Sequence, residues 1–576
     1  MHRRRTRFRR SRDRYQRWLS GAGLFAIFAA LAGIRSVGPT VVPDANNLDQ
    51  VSGERGFAHI EYLLGPEELP HPSSSPENEL VRQRLIAKLL EYGMEYEEQA
   101  GDSETGRLVN VLARRPGRVT ARPILLVTHY DSCLVGPGAG DAMSCVGGLL
   151  ETIRWLGKAP IESEVWFLFT DGEERGLLGA KQFVEQNQGR FKKPPLVFNF
   201  DARGSTGPSF MFQTGKDNYA MVSTFGNRLA QPNFTNSLMS PVYDQLPNGT
   251  DFTIFREAGW NGLNFALVYG AERYHTPDDT TANLSRHSVQ HFANNTRRII
   301  ETLDGLPTDR WEDFSASEPA TYFDILGGPV VRYPQRFDVF LVVLMCLFWF
   351  VAVIRSRIKR GVQRIPVIFL FLGSACVIVG SGLAGYIMSW FLRMLEVLEN
   401  GFPEGLLWLC GGILFVCGVC MFIIGNAFFS RCTIANSRLA VLSVYSLLTL
   451  WVFIEVPGAA FTLLWPTLVL GIVCIVDQDT YWLDYTAVGL ISMLWAPLVI
   501  LFCGALGPNA GIILGLLLGI AGLPTMVLMS VLKRDRGGAV DDLLRSERLA
   551  ELDLDENVSD SETGRYAFLS PRILGV

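Results

Sequence analysis

Between residues 338 and 532 the chain runs through a series of long apolar stretches, and this limits its possible folds more than any other feature. The stretches are 338–354, 366–392, 406–429, 439–456, 459–476, 487–507 and 509–532. Each approaches the roughly 20 residues with which an α-helix crosses a bilayer core. A further run, WLSGAGLFAIFAALAGI (18–34), follows a tail whose first 17 residues hold nine arginines and one aspartate. The pattern predicts a signal-anchor helix over 18–35 and an all-α multi-pass transmembrane domain of about seven helices over 336–532. An Ala-x-Ala at 30–32 leaves cleavage after the first helix open. Pro457-Gly458 marks the pair of spans most prone to a kink or a re-entrant turn.

Charge at the span ends predicts the topology. Arginines and lysines flanking a span stay in the cytosol, so residues 1–17 form a cytosolic tail. The helix at 338–354 is followed by RSRIKRGVQR (355–364), with five basic residues, and should return to the cytosol. Both clusters place residues 36–335 outside the cytosol. The acidic loop EVLENGFPEG (396–405) is expected outside, SRCTIANSR (430–438) and KRDR (533–536) inside. The tail 533–576 should be cytosolic, with DDLLRSERLAELD resembling a short amphipathic helix. Ionisable groups are scarce within the spans, which argues against a coupled transporter. The lipid bilayer is therefore a partner. The formal net charge of −5 gives no general attraction to nucleic acid, and nothing in the sequence sets an oligomeric state.

Of ten cysteines, eight lie in the apolar half, and only Cys133 and Cys145 precede it. This is no disulfide framework. A Cys133–Cys145 bridge would need an oxidising compartment and is not expected. Cys417 and Cys420 form a CxxC inside an apolar run, where packing is the simpler role.

Residues 36–335 alternate strand and helix patterns. ILLVTHYD (124–131), VWFLFTD (165–171) and PLVFNFDA (195–202) are buried-strand runs; GGLLETIRWLG (147–157) and LLGAKQFVEQN (177–187) have helical spacing. The alternation predicts an α/β domain, a mostly parallel mixed sheet flanked by helices. In such sheets functional groups collect at the carboxyl ends of the strands. There the sequence places His129 and Asp131, then Asp171, Glu173 and Glu174, then Asp201. The glycine-rich loop GPGAGDA (136–142) adds Asp141, and RYHTPDDT (273–280) adds His275. Imidazole and carboxylate without thiolate suit zinc or a related divalent ion.

THYDS (128–132), GPGAGDA, DGEERGLLGA (171–180), NFDARG (199–204) and YHTPDDT (274–280) occur in this order over about 150 residues. In this they resemble the co-catalytic di-zinc exopeptidases of metallopeptidase family 28. The helices that follow resemble that family's multi-pass branch, the vacuolar and endoplasmic-reticulum membrane metallopeptidases. FQTG (212–215) and TDF (250–252) add weaker similarity. The resemblance implies a phosphorylase/hydrolase-like zinc exopeptidase fold, two Zn²⁺ ions and a peptide substrate. It implies that Asp141 bridges the ions, that Glu174 and His275 complete one site, and that His129 and Asp201 complete the other. Glu173 would be the general base and Asp131 the partner that orients His129. The peptide after Asp141 would be cis. Ala142 stands where the family usually has Asp or Asn, and LPNGTDF (246–252) replaces a more usual Ser-Asp-Thr-Asp-Phe. Asp251 could line the substrate pocket or cap a helix, and Arg203 could contact substrate.

The expected function is thus that of a membrane-anchored di-zinc exopeptidase of aminopeptidase type. Two other readings are a scaffold module that keeps the peptidase fold without turnover, and a glutaminyl-cyclase-like acyl transferase. The complete ligand set disfavours both. Short loops and a compact tail fit a bacterial inner membrane with the domain in the periplasm. The sequons at Asn233, Asn248, Asn283 and Asn294 would matter only in a eukaryotic endomembrane lumen.

Overall fold

The computed structural model describes residues 2–531, apart from 36–37, 45–47, 105, 230–234, 315–316, 361–363, 399–404 and 477–479. The predicted tail 533–576, KRDR and the centre of the acidic loop lie outside the described residues, as does Asn233.

The sheet of the globular domain is β1 (Glu95–Ser103), β2 (Gly106–Arg115), β3 (Val119–His129), β4 (Ser163–Thr170), β5 (Leu196–Ala202), β6 (Phe210–Thr214) and β7 (Gly262–Leu267). Its order is β1-β2-β4-β3-β5-β7-β6. The four central strands β4, β3, β5 and β7 are mutually parallel, while β1, β2 and β6 pair antiparallel at the edges. The sheet is therefore more mixed than the apolar runs alone predict. Polar edge strands such as β1, EYEEQAGDS, carry no apolar run to reveal them.

Period-2 alternation explains why the central strands are apolar throughout. Side chains of successive strand residues point to opposite faces, and here both faces are covered. Leu126, Phe167 and Phe198 face one apolar core with Ile60, Leu149 and Phe292. Leu125, Val127 and Leu168 face another, with Phe183, Phe252 and Phe255. The first core is closed by α2 (Gly53–Leu64), α3 (Pro76–Glu91), α4 (Ser144–Leu156) and α9 (Arg286–Asp304). The second is closed by α5 (Leu178–Asn187) and α8 (Asp251–Glu257). The short helices α6 (Tyr219–Phe225) and α7 (Met239–Tyr243) and the hairpin β8 (Ala320–Asp324)–β9 (Val330–Pro334) complete the domain.

The apolar runs form helices: α1 (His2–Arg35), α10 (Phe337–Arg360), α11 (Arg364–Met394), α12 (Leu406–Phe429), α13 (Ile434–Glu455), α14 (Phe461–Val476), α15 (Trp482–Leu506) and α16 (Gly511–Gly522), the last continuing in tight turns to Met529. Among the described residues seven segments are long and apolar enough to span a membrane. The exception is α14, with 16 residues. Pro457 and Gly458 occupy a single 3₁₀ turn that separates it from α13, so the expected 459–476 span is shortened at its start. A proline lacks the N–H that would continue the helix. The arginine-rich tail is not separate from the anchor: α1 runs through both.

The bundle has two distinct ends. At one, Arg14 donates to the Ser430 carbonyl (2.8 Å) and Arg17 to that of Leu528 (3.1 Å). At the other, the globular domain docks. Ser237 donates to the Gly458 carbonyl (2.7 Å), Phe323 stacks on Phe461 (4.9 Å), and Trp465 Nε1 donates to Tyr333 (3.3 Å). Gly504 of α15 lies flat against Tyr269, so that a Cβ there would sit 2.6 Å from the ring. Gly504→Val should weaken docking by about 1–3 kcal/mol, the usual cost of overpacking a tight contact. The expected readout is a lower melting temperature in detergent and faster proteolysis of the globular domain; unchanged resistance would mean that this contact does not hold the domain.

Candidate metal centre

The parallel strands β4, β3, β5 and β7 end side by side, and their carboxyl ends bring the predicted residues together. His129 closes β3, and Asp201 is the last residue but one of β5. Glu173 and Glu174 follow β4 in a turn opened by Gly172, whose φ of 74° suits glycine. Asp141 comes from the loop between β3 and α4. His275 comes from the loop after β7 and has φ 56°, rare for a residue with a side chain and typical of functional loops. Tyr274 stacks on its ring at 3.8 Å.

Asp141 stands between the two histidines. His129 Nε2 lies 3.2 Å from its Oδ1, and His275 Nε2 lies 3.3 Å from its Oδ2. His129 is also 3.5 Å from Asp201, and His275 is 2.9 Å from Glu174. Two ligand sets result, His129–Asp141–Asp201 and Asp141–Glu174–His275, each with donor atoms within 4.8 Å of one another. They share only Asp141.

The donor chemistry fits divalent cations. His129 Nδ1 donates to the Asp131 carbonyl oxygen at 3.0 Å, which leaves the Nε2 lone pair directed at the carboxylates. Burial alone would lower the His129 pKa. Hydrogen bonds to Asp131, Asp141 and Asp201 outweigh burial and raise it well above 6.5. The same balance lifts His275 to about 10. Burial would raise Asp141, yet its two histidine partners hold it at about 2. Burial and neighbouring negative charge push Glu174 up to about 7 and also raise Asp201. Carboxylates packed this closely favour the ionised form only when positive charge sits among them.

Asp131 lies against His129 and also reaches the acidic turn. Its carboxylate lies 3.6 Å from His129 Nδ1, and its carbonyl makes the hydrogen bond. The carboxylate instead accepts from the backbone N–H groups of Glu173 (3.1 Å) and Glu174 (3.3 Å), so Asp131 couples the β3 end to the acidic turn. Glu173 belongs to neither ligand set but lines the adjoining cleft with Asp141, Asp201, Arg203, Tyr243 and Tyr274. Burial raises its pKa well above the ordinary range. Asp251 is buried, accepts from Thr170, and is pushed up to about 7 by burial. It is not the helix cap, since Thr250 is the N-cap of α8. Cys133 and Cys145 are both free thiols. The Asp141–Ala142 peptide is cis.

Asp279 is a further site residue, not singled out by its motif alone. Its buried carboxylate accepts from the backbone N–H groups of Gly140 (2.7 Å) and Asp141 (3.2 Å), and its carbonyl accepts from Ala139 (3.0 Å). The signal for it was the second aspartate of HTPDDT. Tyr243 and Tyr274 had none.

Histidine–carboxylate clusters at the carboxyl edge of an α/β sheet are the arrangement of a metal-dependent hydrolase. Residues 110–300 match the model of Peptidase family M28; among the described residues one membrane-length helix precedes that segment and six follow it. The vacuolar membrane protease of Kluyveromyces lactis is 27% identical over 344 residues, covering 53% of this chain and 37% of that protein. Endoplasmic reticulum metallopeptidase 1 of Mus musculus is 29% identical over 236 residues, covering 40% and 26%. The chain thus spans well under half the length of these curated relatives. Among solved structures, Porphyromonas gingivalis glutaminyl cyclase aligns at 18% identity with a TM-score of 0.37, over 45% of this chain and 100% of that one.

Asp279→Asn should loosen the Asp141 loop and cost roughly 10–100-fold in zinc affinity, as loss of a ligand's supporting hydrogen bonds usually does. Competition titration with a zinc chelator would measure it; wild-type affinity would show that the loop holds without Asp279.

Proposed function

We propose that this chain is a membrane-anchored di-zinc exopeptidase of aminopeptidase type, acting on peptides outside the cytosol. The observation that supports it best is the division of Asp141. Its two oxygens face two histidines, and each histidine has its own second carboxylate. His129, Asp141 and Asp201 would hold one zinc ion, and Asp141, Glu174 and His275 the other. When bound, the ions supply Lewis acidity to water and to the scissile carbonyl.

The remaining chemistry falls to the chain's own groups. Glu173 accepts a proton from the attacking water at a carboxylate oxygen and delivers it to the leaving amine nitrogen. Asp131 fixes that carboxylate by holding the Glu173 and Glu174 backbone. The topology is supported by the two ends of the bundle: the arginine-rich part of α1 lies at the end opposite the docked domain, and arginines stay cytosolic.

Glu173→Gln should retain zinc and lose about 10²–10⁴-fold in turnover, the usual worth of a general acid–base group. Glu174→Gln should lower the zinc content itself. The test is metal analysis of the full chain together with release of an N-terminal residue from chromogenic amides. An active Glu173→Gln protein would remove the base assignment. Cyclisation of N-terminal glutamine with ammonia release would favour acyl transfer, and zinc without turnover of any peptide would favour a scaffold.

A further inference from the structure

One wall of the cleft at the metal centre does not come from the peptidase domain. Leu501, Phe502, Ala505 and Leu506, in the last turns of α15, line the same cleft as Asp141, Glu173 and Asp201. The cleft is open at its mouth and has a cavity volume of about 110 Å³. Its charged groups are Asp141, Glu173, Asp201 and Arg203, and Thr235, Asn248 and Thr250 add neutral polar ones. Most of the rest is apolar or aromatic, including Phe210 and Phe212 of β6, Met239 and Tyr243 of α7, and the α15 residues. Phe502 and Leu501 are buried in one cluster with Phe210, Phe212, Met239 and Tyr269.

The close approach at Gly504 makes this wall possible. With no side chain at 504, α15 lies against Tyr269. Residues 501 and 505, like 502 and 506, are four apart and share a helix face, so these two rows turn toward the cleft beside that contact.

We propose that α15 sets the side-chain preference of the peptidase site. The residue whose peptide bond is cut places a large apolar side chain against Phe502 and Leu506, so a membrane-length helix determines specificity. This rests on the exopeptidase reading above. Apolar pockets discriminate by contact area, and a single methylene is worth about 10–200-fold in kcat/KM. Two substitutions alter the pocket in opposite directions. Ala505→Leu shortens it, and Phe502→Ala removes its wall.

The experiment measures kcat/KM of the full-length protein in detergent for leucine and alanine p-nitroanilides, with zinc content as a check on folding. Ala505→Leu should lower the leucine-to-alanine ratio at least tenfold. Phe502→Ala should also lower it, by removing contact that only the larger side chain makes. Leu490→Ala, on an exposed face of the same helix, should leave the ratio unchanged. Equilibrium binding of leucinamide and alaninamide to the Glu173→Gln protein should follow the same order. If zinc-loaded Ala505→Leu and Phe502→Ala both keep the wild-type ratio, the inference is overturned while the peptidase reading stands. If the zinc-loaded wild type cleaves neither substrate, the peptidase reading fails and takes the inference with it.

Discussion

Placement of the Asp141 carboxylate is the constraint on which the site depends. It must present one oxygen to His129 and the other to His275, though one ends β3 and the other lies in the loop after β7. Asp141 lies in a single turn, Ala139–Met143, where its own backbone angles (φ −108°, ψ 95°) are not helical. Its loop is held by Asp279, which accepts two backbone N–H groups at its carboxylate and a third at its carbonyl. Asp279 lies four residues beyond His275, so one short segment both supplies a histidine and positions the carboxylate opposite it. A shift in that segment would move both ligand sets together.

A second coupling runs through Asp131. Its carbonyl orients His129 while its carboxylate holds the backbone of Glu173 and Glu174. The imidazole end of one strand and the acidic turn of its neighbour are thereby locked in register. Adjacent parallel strands β3 and β4 make this possible, because their carboxyl ends lie side by side. The fold thus does more than collect ligands: it gives neighbouring strand ends a shared hydrogen-bonding residue.

Much of this was legible in the sequence, for a physical reason. Strands buried on both faces must be apolar, so 124–128, 165–169 and 196–200 stood out, and the polar residues that ended them were conspicuous. The apolar helices were legible on the same ground. What escaped was whatever depends on contacts distant in sequence. Strand β1 is polar because it lies at the sheet edge. The carbonyl of Asp131, not its carboxylate, bonds His129 Nδ1, and nothing in the order of residues distinguishes the two. Thr250 rather than Asp251 caps α8, a choice made by backbone angles. Phe502 is some 300 residues from Asp201, and an apolar residue inside an apolar run carries no mark of the cleft it borders.

The docking of the globular domain has a consequence for reach. It is fastened to the bundle by Ser237 on Gly458, by Phe323 on Phe461 and by Tyr269 on Gly504, so it does not hang from a flexible tether. On the proposed peptidase function, a tethered catalyst would sweep a volume, whereas one held at three points would keep a constant height above the bundle. A peptide substrate would then have to arrive at that height in the right orientation.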